Sequence, residues 1–437
     1  MNIVQKKHFK CVGFYEHCDS SSAQPDRYRW LLNLSDKNKY IAEGSGLSLS
    51  GASFSPNALT VNMRKFDRIL SFDPQSLTIT AESGITLQKL FQFLISKNLL
   101  ISIQPGYPLI TLGGCIAGNV HGKNHYKEGI FSDIVEEINL FHPSHGVINL
   151  SRNNNGDLFH LTCGGFGLTG IILSAKIKVK TLEKQYIRET HIPINDLISC
   201  ITVMNKEFNN FDFMYSWHDL SKFSEKIGRG FIVGGKRTDN GTGDLYSEKV
   251  PDLKYAYPFK LFNRKILPII NYFFLLKNQR LEKSLSLYES MFPFVTTPMY
   301  FYAYGKKGFF EHQVLIPEIN IEEYIEEFII LCRNHKQQFG LVSLKKLKGS
   351  PKMMWYTGNG FGLSLHLPTS ANSIKLVNEL DNLNSKYGGR PNIIKDPRLS
   401  KKVANNQFEN IENFRKELNS FDPKRLFVSM LSERLHL

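Results

Sequence analysis

The sequence predicts an α+β protein of two domains, and three patterns carry that expectation. Residues 77–81 and 171–180 alternate apolar with polar side chains, the period of a strand with one face buried. Residues 87–94 and 373–387 repeat apolar positions at helical spacing. Three glycine clusters stand among these elements, at 42–51 (AEGSGLSLSG), 104–125 (QPGYPLITLGGCIAGNVHGKNH) and 163–172 (CGGFGLTGII).

In chain order, Leu77, Ile79 and Ala81 share one strand face, and Thr86 then caps a helix carrying Leu87, Leu90, Phe91 and Leu94 on one side. In the long glycine run, Gly106, Gly113, Gly114, Gly118 and Gly122 lack a Cβ. That permits positive φ and lets backbone N–H groups meet a ligand at contact distance. So dense a run is expected to form a cradle, not ordinary helix or strand. Residues 138–141 and 147–150 flank HPSHG and read as a hairpin. The helix at 373–387 stops at Gly388 and Gly389.

A chain of 437 residues with 42% hydrophobic content can bury the core of two or three structural units. A net charge of +14 favours anionic partners. The lysines come in scattered pairs such as Lys306 and Lys307, without the basic block of a nucleic-acid tail, so no nucleic-acid partner is expected. None of the six cysteines forms a C-x-x-C pair or stands near a histidine at ligand spacing. Free thiols, no metal site and a cytoplasmic setting follow. The N-terminus lacks the apolar stretch of a secretory signal, and the run ILPIINYFFLL at 266–276 is too short to span a bilayer.

Gly165, Gly167 and Gly170 make a formal G-x-G-x-x-G. The strand-like IILSAKIKVK follows it where a phosphate-capping helix should begin, which argues against a Rossmann site. Three clusters across the N-terminal half better suit one long cofactor wrapped by several loops.

GSGLSLSG, PGYPLITLGGCIAGNVHGKNH with Gly129 and Phe131 beyond it, and GGFGLTGII together resemble the FAD domain of the vanillyl-alcohol-oxidase type of flavoproteins. HGKNH at 121–125, KDPR at 395–398 and FDPKRLFVSMLSERL at 421–435 resemble its decaprenylphosphoryl-ribose oxidase branch, the flavin-dependent half of a 2′-epimerase of lipid-linked pentose. The resemblance implies a PCMH-type FAD-binding domain of two subdomains over 1–185. It also implies a substrate domain over 186–394, built on an antiparallel sheet flanked by helices, and a segment 395–437 returning to the FAD domain.

Carried over by position, the resemblance assigns FAD to Gly44, Ser45, Gly46, Leu47 and Ser48, and to Pro105, Gly106, Thr111, Leu112, Gly113, Gly114, Ile116 and Ala117. It adds His121, Gly122, Asn124 and His125, and from the third cluster Gly167, Gly170 and Ile171. Leu47 stands where relatives with covalent FAD carry a histidine, so the cofactor is expected to be non-covalent. Lys395, His121 and Lys123 are the implied catalytic residues, and Gln313, Lys346, Ser364 and Arg398 the implied substrate contacts. The chain also departs from the branch. Leu49 replaces an aromatic residue, Ser364 a cysteine, and His366 an acid.

The implied chemistry is hydride transfer from a sugar carbinol to flavin N5, with Lys395, His121 or solvent taking the proton. On a lipid-linked pentose this is the first half of 2′-epimerisation in cell-envelope polysaccharide synthesis, completed by a separate NAD(P)H-dependent short-chain reductase. A lipid substrate brings peripheral contact with the inner face of the plasma membrane, and the basic, aromatic stretch 253–280 is the segment suited to it. A soluble aldonolactone or sugar-alcohol oxidase is the nearer rival. A basic, non-enzymatic nucleic-acid binder is the farther one, and it predicts a colourless preparation.

Overall fold

Thr86 caps the helix Leu87–Ile95 as its position predicts, its hydroxyl accepting from the Lys89 N–H at 3.3 Å in a computed structural model describing residues 4–221, 227–241, 245–247 and 250–437. The helix buries Leu87, Leu90, Phe91 and Leu94 in one core with Ile79 and Ala81 of the strand Thr78–Glu82. Each such large side chain contributes about 1.5–3 kcal/mol when taken from water.

That strand belongs to a five-stranded antiparallel sheet, ordered Ile69–Asp73, Thr78–Glu82, Ile171–Lys178, Val135–His142, Gly146–Ser151. Its last two strands are the hairpin expected around HPSHG. A smaller mixed sheet of Gln5–Lys10, His17–Ala23, Leu59–Asn62 and Tyr40–Glu43 completes this half. Residues beyond 425 run back to it: the Tyr40 N–H donates to the Leu426 carbonyl (2.7 Å), and the Val428 N–H to that of Tyr40 (3.0 Å).

Two antiparallel sheets build the other half. One is ordered Phe213–His218, Gly230–Thr238, Tyr186–Ile194, Glu282–Ser286, the other Leu341–Leu347, Gly360–Pro368, Phe309–Pro317, Arg390–Pro391. They meet edge to edge where the Leu344 N–H donates to Ser216 Oγ (2.9 Å). The helices Leu197–Glu207, Ile321–His335 and Ala371–Lys386 share a core with Val314, Val342, Leu344, Leu363 and Leu365 of these strands. Strand alternation turns the intervening residues the other way, toward the first half, and a cavity of about 660 Å³ lies between.

The glycine run departs from expectation in two respects. Leu112–Ala117 is a short helix, capped by Thr111 Oγ1 accepting from the Gly114 N–H. None of Gly106, Gly113, Gly114, Gly118 and Gly122 takes a positive φ. Glycine is required there for space: a Cβ on Gly113 would lie 2.9 Å from that of Ser83, and one on Gly122 would lie 2.7 Å from the Gln104 carbonyl. The first cluster, 42–51, overlaps the end of the strand Tyr40–Glu43 and precedes Leu59–Asn62.

Candidate active site

At one end of the cavity the loop 44–48 faces the helix Leu112–Ala117. The long run was expected to offer several converging N–H donors, and among the described residues the amides of cavity-lining Gly106, Thr111, His121 and Lys123 donate to no protein acceptor, whereas those of the helix are used. Leu112 N–H donates to the Ile85 carbonyl and Gly113 N–H to that of Ser83. The first loop adds a continuous row of open donors. Among the described residues, the amides of Gly44, Ser45, Gly46, Leu47 and Ser48 donate to no protein acceptor. Gly46 makes the turn at φ +64°, and Gly44 lies so close to Thr111 that a Cβ would sit 2.2 Å from Oγ1. Along the same cavity, Ser45 Oγ, Ser53 Oγ, Ser83 Oγ, Gln104 Oε1 and Asn119 Nδ2 are buried without partners in the protein. Buried polar atoms are rarely left so, and each costs about 1–3 kcal/mol until a ligand satisfies it. The residues present therefore suit a long polar ligand with anionic groups near 44–48.

At the other end, the face of the sheet carrying Phe309–Pro317 and Gly360–Pro368 supplies charge. Cross-strand register pairs Glu311 with His366 and Gln313 with Ser364, so all four side chains share one face. Ser343 stands opposite Ser364, and Lys345 two positions on projects from the same side. Gln313 Nε2 donates to Ser364 Oγ (2.8 Å), and Asn392 Nδ2 donates to Gln313 Oε1 (2.6 Å). Lys395 Nζ lies 3.2 Å from Glu311 Oε2, which is also 3.2 Å from His366 Nε2. Beyond His366, Tyr300 Oη lies 2.8 Å from Nδ1 and 2.7 Å from Tyr304 Oη. A hydrogen-bonded chain thus leads from Lys395 into the apolar interior.

Burial raises the Glu311 carboxyl, but Lys395 and His366 outweigh it and hold the group well below the usual carboxylate range. Burial lowers the Lys345 ammonium to about 8, with Lys395 adding to the fall and Glu311 opposing it. Burial, Lys345 and His125 push the His121 imidazole down to about 3, so this ring is neutral at physiological pH. Its Nδ1 lies 3.2 Å from the Gly122 carbonyl, which can only accept, so Nδ1 carries the proton and Nε2 is the acceptor. Burial likewise lowers Lys123 to about 8 against the pull of Glu189. Its ammonium already donates to the carbonyl and hydroxyl of Ser290 and sits 3.8 Å from the Phe213 ring centre.

Most of the residues singled out by sequence meet in this one cavity. Gly44, Ser45, Gly46, Leu47, Ser48, Pro105, Gly106, Thr111, Gly113, Gly114, Ala117, Gly167 and Gly170 line it, as do His121, Gly122, Lys123, Gln313, Ser364 and Lys395. Leu112, Ile116 and Ile171 are fully buried in the hydrophobic cores, and Ile172, not Ile171, reaches the lining. Asn124 braces the loop through Ser102 (2.7 Å), and His125 packs against His121 from behind. Lys346 points away and pairs with Glu318 (2.8 Å), leaving Lys345 as the lysine of that strand in the cavity. Arg398 is also outside, its guanidinium held by Asp381 (2.7 Å) and Asp396 (2.9 Å) in the interior. Glu311, Lys345 and Tyr300 were not found by sequence reasoning. The alternation of EHQ and of LVSLKK would have placed the first two beside Gln313 and Ser343.

Removing Arg398 leaves two buried carboxylates without their cation. Arg398→Met is expected to cost about 3–5 kcal/mol of stability, read from the urea midpoint. A midpoint within error of the parent would show the triad to be dispensable.

Residues 31–151 match the FAD binding domain family. Over 414 residues the chain is 26% identical to the decaprenylphosphoryl-beta-D-ribose oxidase of Mycolicibacterium smegmatis, covering 91% of this chain and 89% of that one. It is 27% identical over 186 residues to the D-lactate dehydrogenase of Anaerostipes hadrus, covering 41% of this chain and 39% of that one. To the mitochondrial L-galactono-1,4-lactone dehydrogenase of Brassica oleracea it is 28% identical over 153 residues, 35% of this chain and 25% of that one.

Proposed function

For a chain whose residues 31–151 are an FAD binding domain, and which is an FAD-dependent oxidoreductase, we propose oxidation of a sugar carbinol to a ketone on a polyprenyl-phosphate-linked pentose. The observation that carries this reading is the single cavity, which joins open amides at 44–48 to the cluster of Lys345, Lys395, Glu311 and His366. Similarity to the ribose oxidase along nearly the whole chain supports the lipid-linked sugar over the shorter lactone-dehydrogenase match.

Residues 44–48 and Thr111 would hold the anionic part of FAD, with Gly167 and Gly170 closing over it. Bound FAD supplies the acceptor for the hydride leaving the carbinol carbon. Lys345, desolvated to about 8, takes the hydroxyl proton as the C=O bond forms. The Lys395 ammonium, fixed by Glu311, offsets negative charge developing on the substrate oxygen. His121 cannot hold a second proton at neutral pH and orients the sugar through its unprotonated Nε2. Gln313, braced by Ser364 and Asn392, presents its amide to a second hydroxyl.

FAD is bound without a covalent link, because Leu47 offers no nucleophile in the loop beside it. A separate NAD(P)H-dependent reductase completes the 2′-epimerisation. The decisive assay is anaerobic bleaching of the flavin by polyprenyl-phosphoryl pentose and by free aldonolactones. Bleaching by the lipid-linked sugar alone is expected, and bleaching by lactones alone would overturn the assignment. Acid precipitation is expected to leave the yellow colour in the supernatant, and colour in the pellet would refute the non-covalent link.

A further inference from the structure

The helix Leu267–Asn278 is inside out. It buries only Leu267, Asn271 and Leu275, a single stripe tied down by Asn271 Nδ2 donating to Asp219 (2.8 Å). Its other apolar residues face solvent: Ile269 is 58% exposed, Phe273 63% and Leu276 52%. A helix on a soluble surface does the reverse. The exposed side chains include Tyr272, Phe273, Phe274 and Leu276, which occupy more than one face, so they form no seam for a partner helix.

The flanks are exclusively basic. Exposed Lys260, Arg264 and Lys265 precede the helix, Lys277 stands in its last turn and Arg280 beyond it, while no Asp or Glu occurs between Asp252 and Glu282. Among the described residues no helix is long and apolar enough to cross a membrane. We infer that this helix lies in the plane of an anionic bilayer, with Ile269 and Phe273 submerged and the cationic rim on lipid phosphates. A second copy of the chain suits the patch poorly, since two such rims would face each other with like charge. Phe274 and Asn278 also line the cavity, so the bilayer-facing helix and the site share a wall. The inference stands on exposure and charge and does not require the substrate proposed above.

Co-sedimentation of the FAD-loaded protein with phosphatidylcholine vesicles, with and without phosphatidylglycerol and free of any sugar lipid, tests it. Strong binding is expected only with phosphatidylglycerol. Ile269→Ser with Phe273→Ser should weaken it on the order of a hundredfold. Lys260→Gln with Arg264→Gln, Lys265→Gln and Lys277→Gln should weaken it by a similar factor and remove its salt dependence. Unchanged flavin content and melting temperature would establish that both variants are folded. The proposal is overturned by absent binding, by binding that neither variant alters, or by a lipid-free dimer that Phe273→Ser dissolves. Vesicle binding and flavin bleaching are read separately, so either reading can fail alone.

Discussion

Replacing Lys345 by methionine is expected to slow flavin reduction by the sugar about 10²–10⁴-fold while FAD stays bound, the range that a positioned proton acceptor supplies. The sign of its pH dependence follows from burial. Below about 8 the ammonium already carries its proton and cannot take another, so the rate should climb about tenfold per pH unit and level off above that point. In Lys345→Met the climb disappears. Lys346→Met is the internal control, because its ammonium pairs with Glu318 outside the cavity. A pH profile that survives Lys345→Met would assign the proton elsewhere, with the Glu311–His366 chain the next place to look.

Gly44→Val is expected to give a folded but colourless protein. Even the first carbon added would sit 2.2 Å from Thr111 Oγ1 and 3.2 Å from Thr111 Cβ. Thr111 cannot yield easily, since its hydroxyl caps Leu112–Ala117 and its side chain is β-branched. The loop must move, and its open amides move with it. FAD retention should fall more than about tenfold, with far-UV circular dichroism and melting temperature matching those of the flavin-free parent. Stoichiometric flavin in this variant would show that 44–48 is not the anion-binding loop.

The strands at 78–82 and 171–178 and the capped helix between them were legible because period and cap chemistry are local. The role of the long glycine run was not, since positive φ and close packing both call for glycine, and only the approach of Ser83 and Gln104 decides between them. The choice between Lys345 and Lys346 was within reach. Val342 and Leu344 are apolar and Ser343 is polar, so the face shared with Ser343 holds Lys345. Tyr300 was beyond reach: it meets His366 through tertiary packing that no local pattern encodes. Arg398 followed its motif neighbour Lys395 into the expected site, yet the turn between them sends the two side chains in different directions.

The return of residues 426–428 to Tyr40, with Ile394 and Lys395 in the cavity wall, sets an order of events during synthesis. Folding during translation can finish the sheet around Thr78–Glu82 early, but it cannot finish the cavity wall that holds Ile394 and Lys395. With the cofactor placed as proposed above, loading is expected to wait until residues near 430 have cleared the ribosome. Stalled nascent chains ending before Asn392 should therefore remain unable to take up FAD, and flavin captured by such chains would show that the N-terminal half holds it unaided.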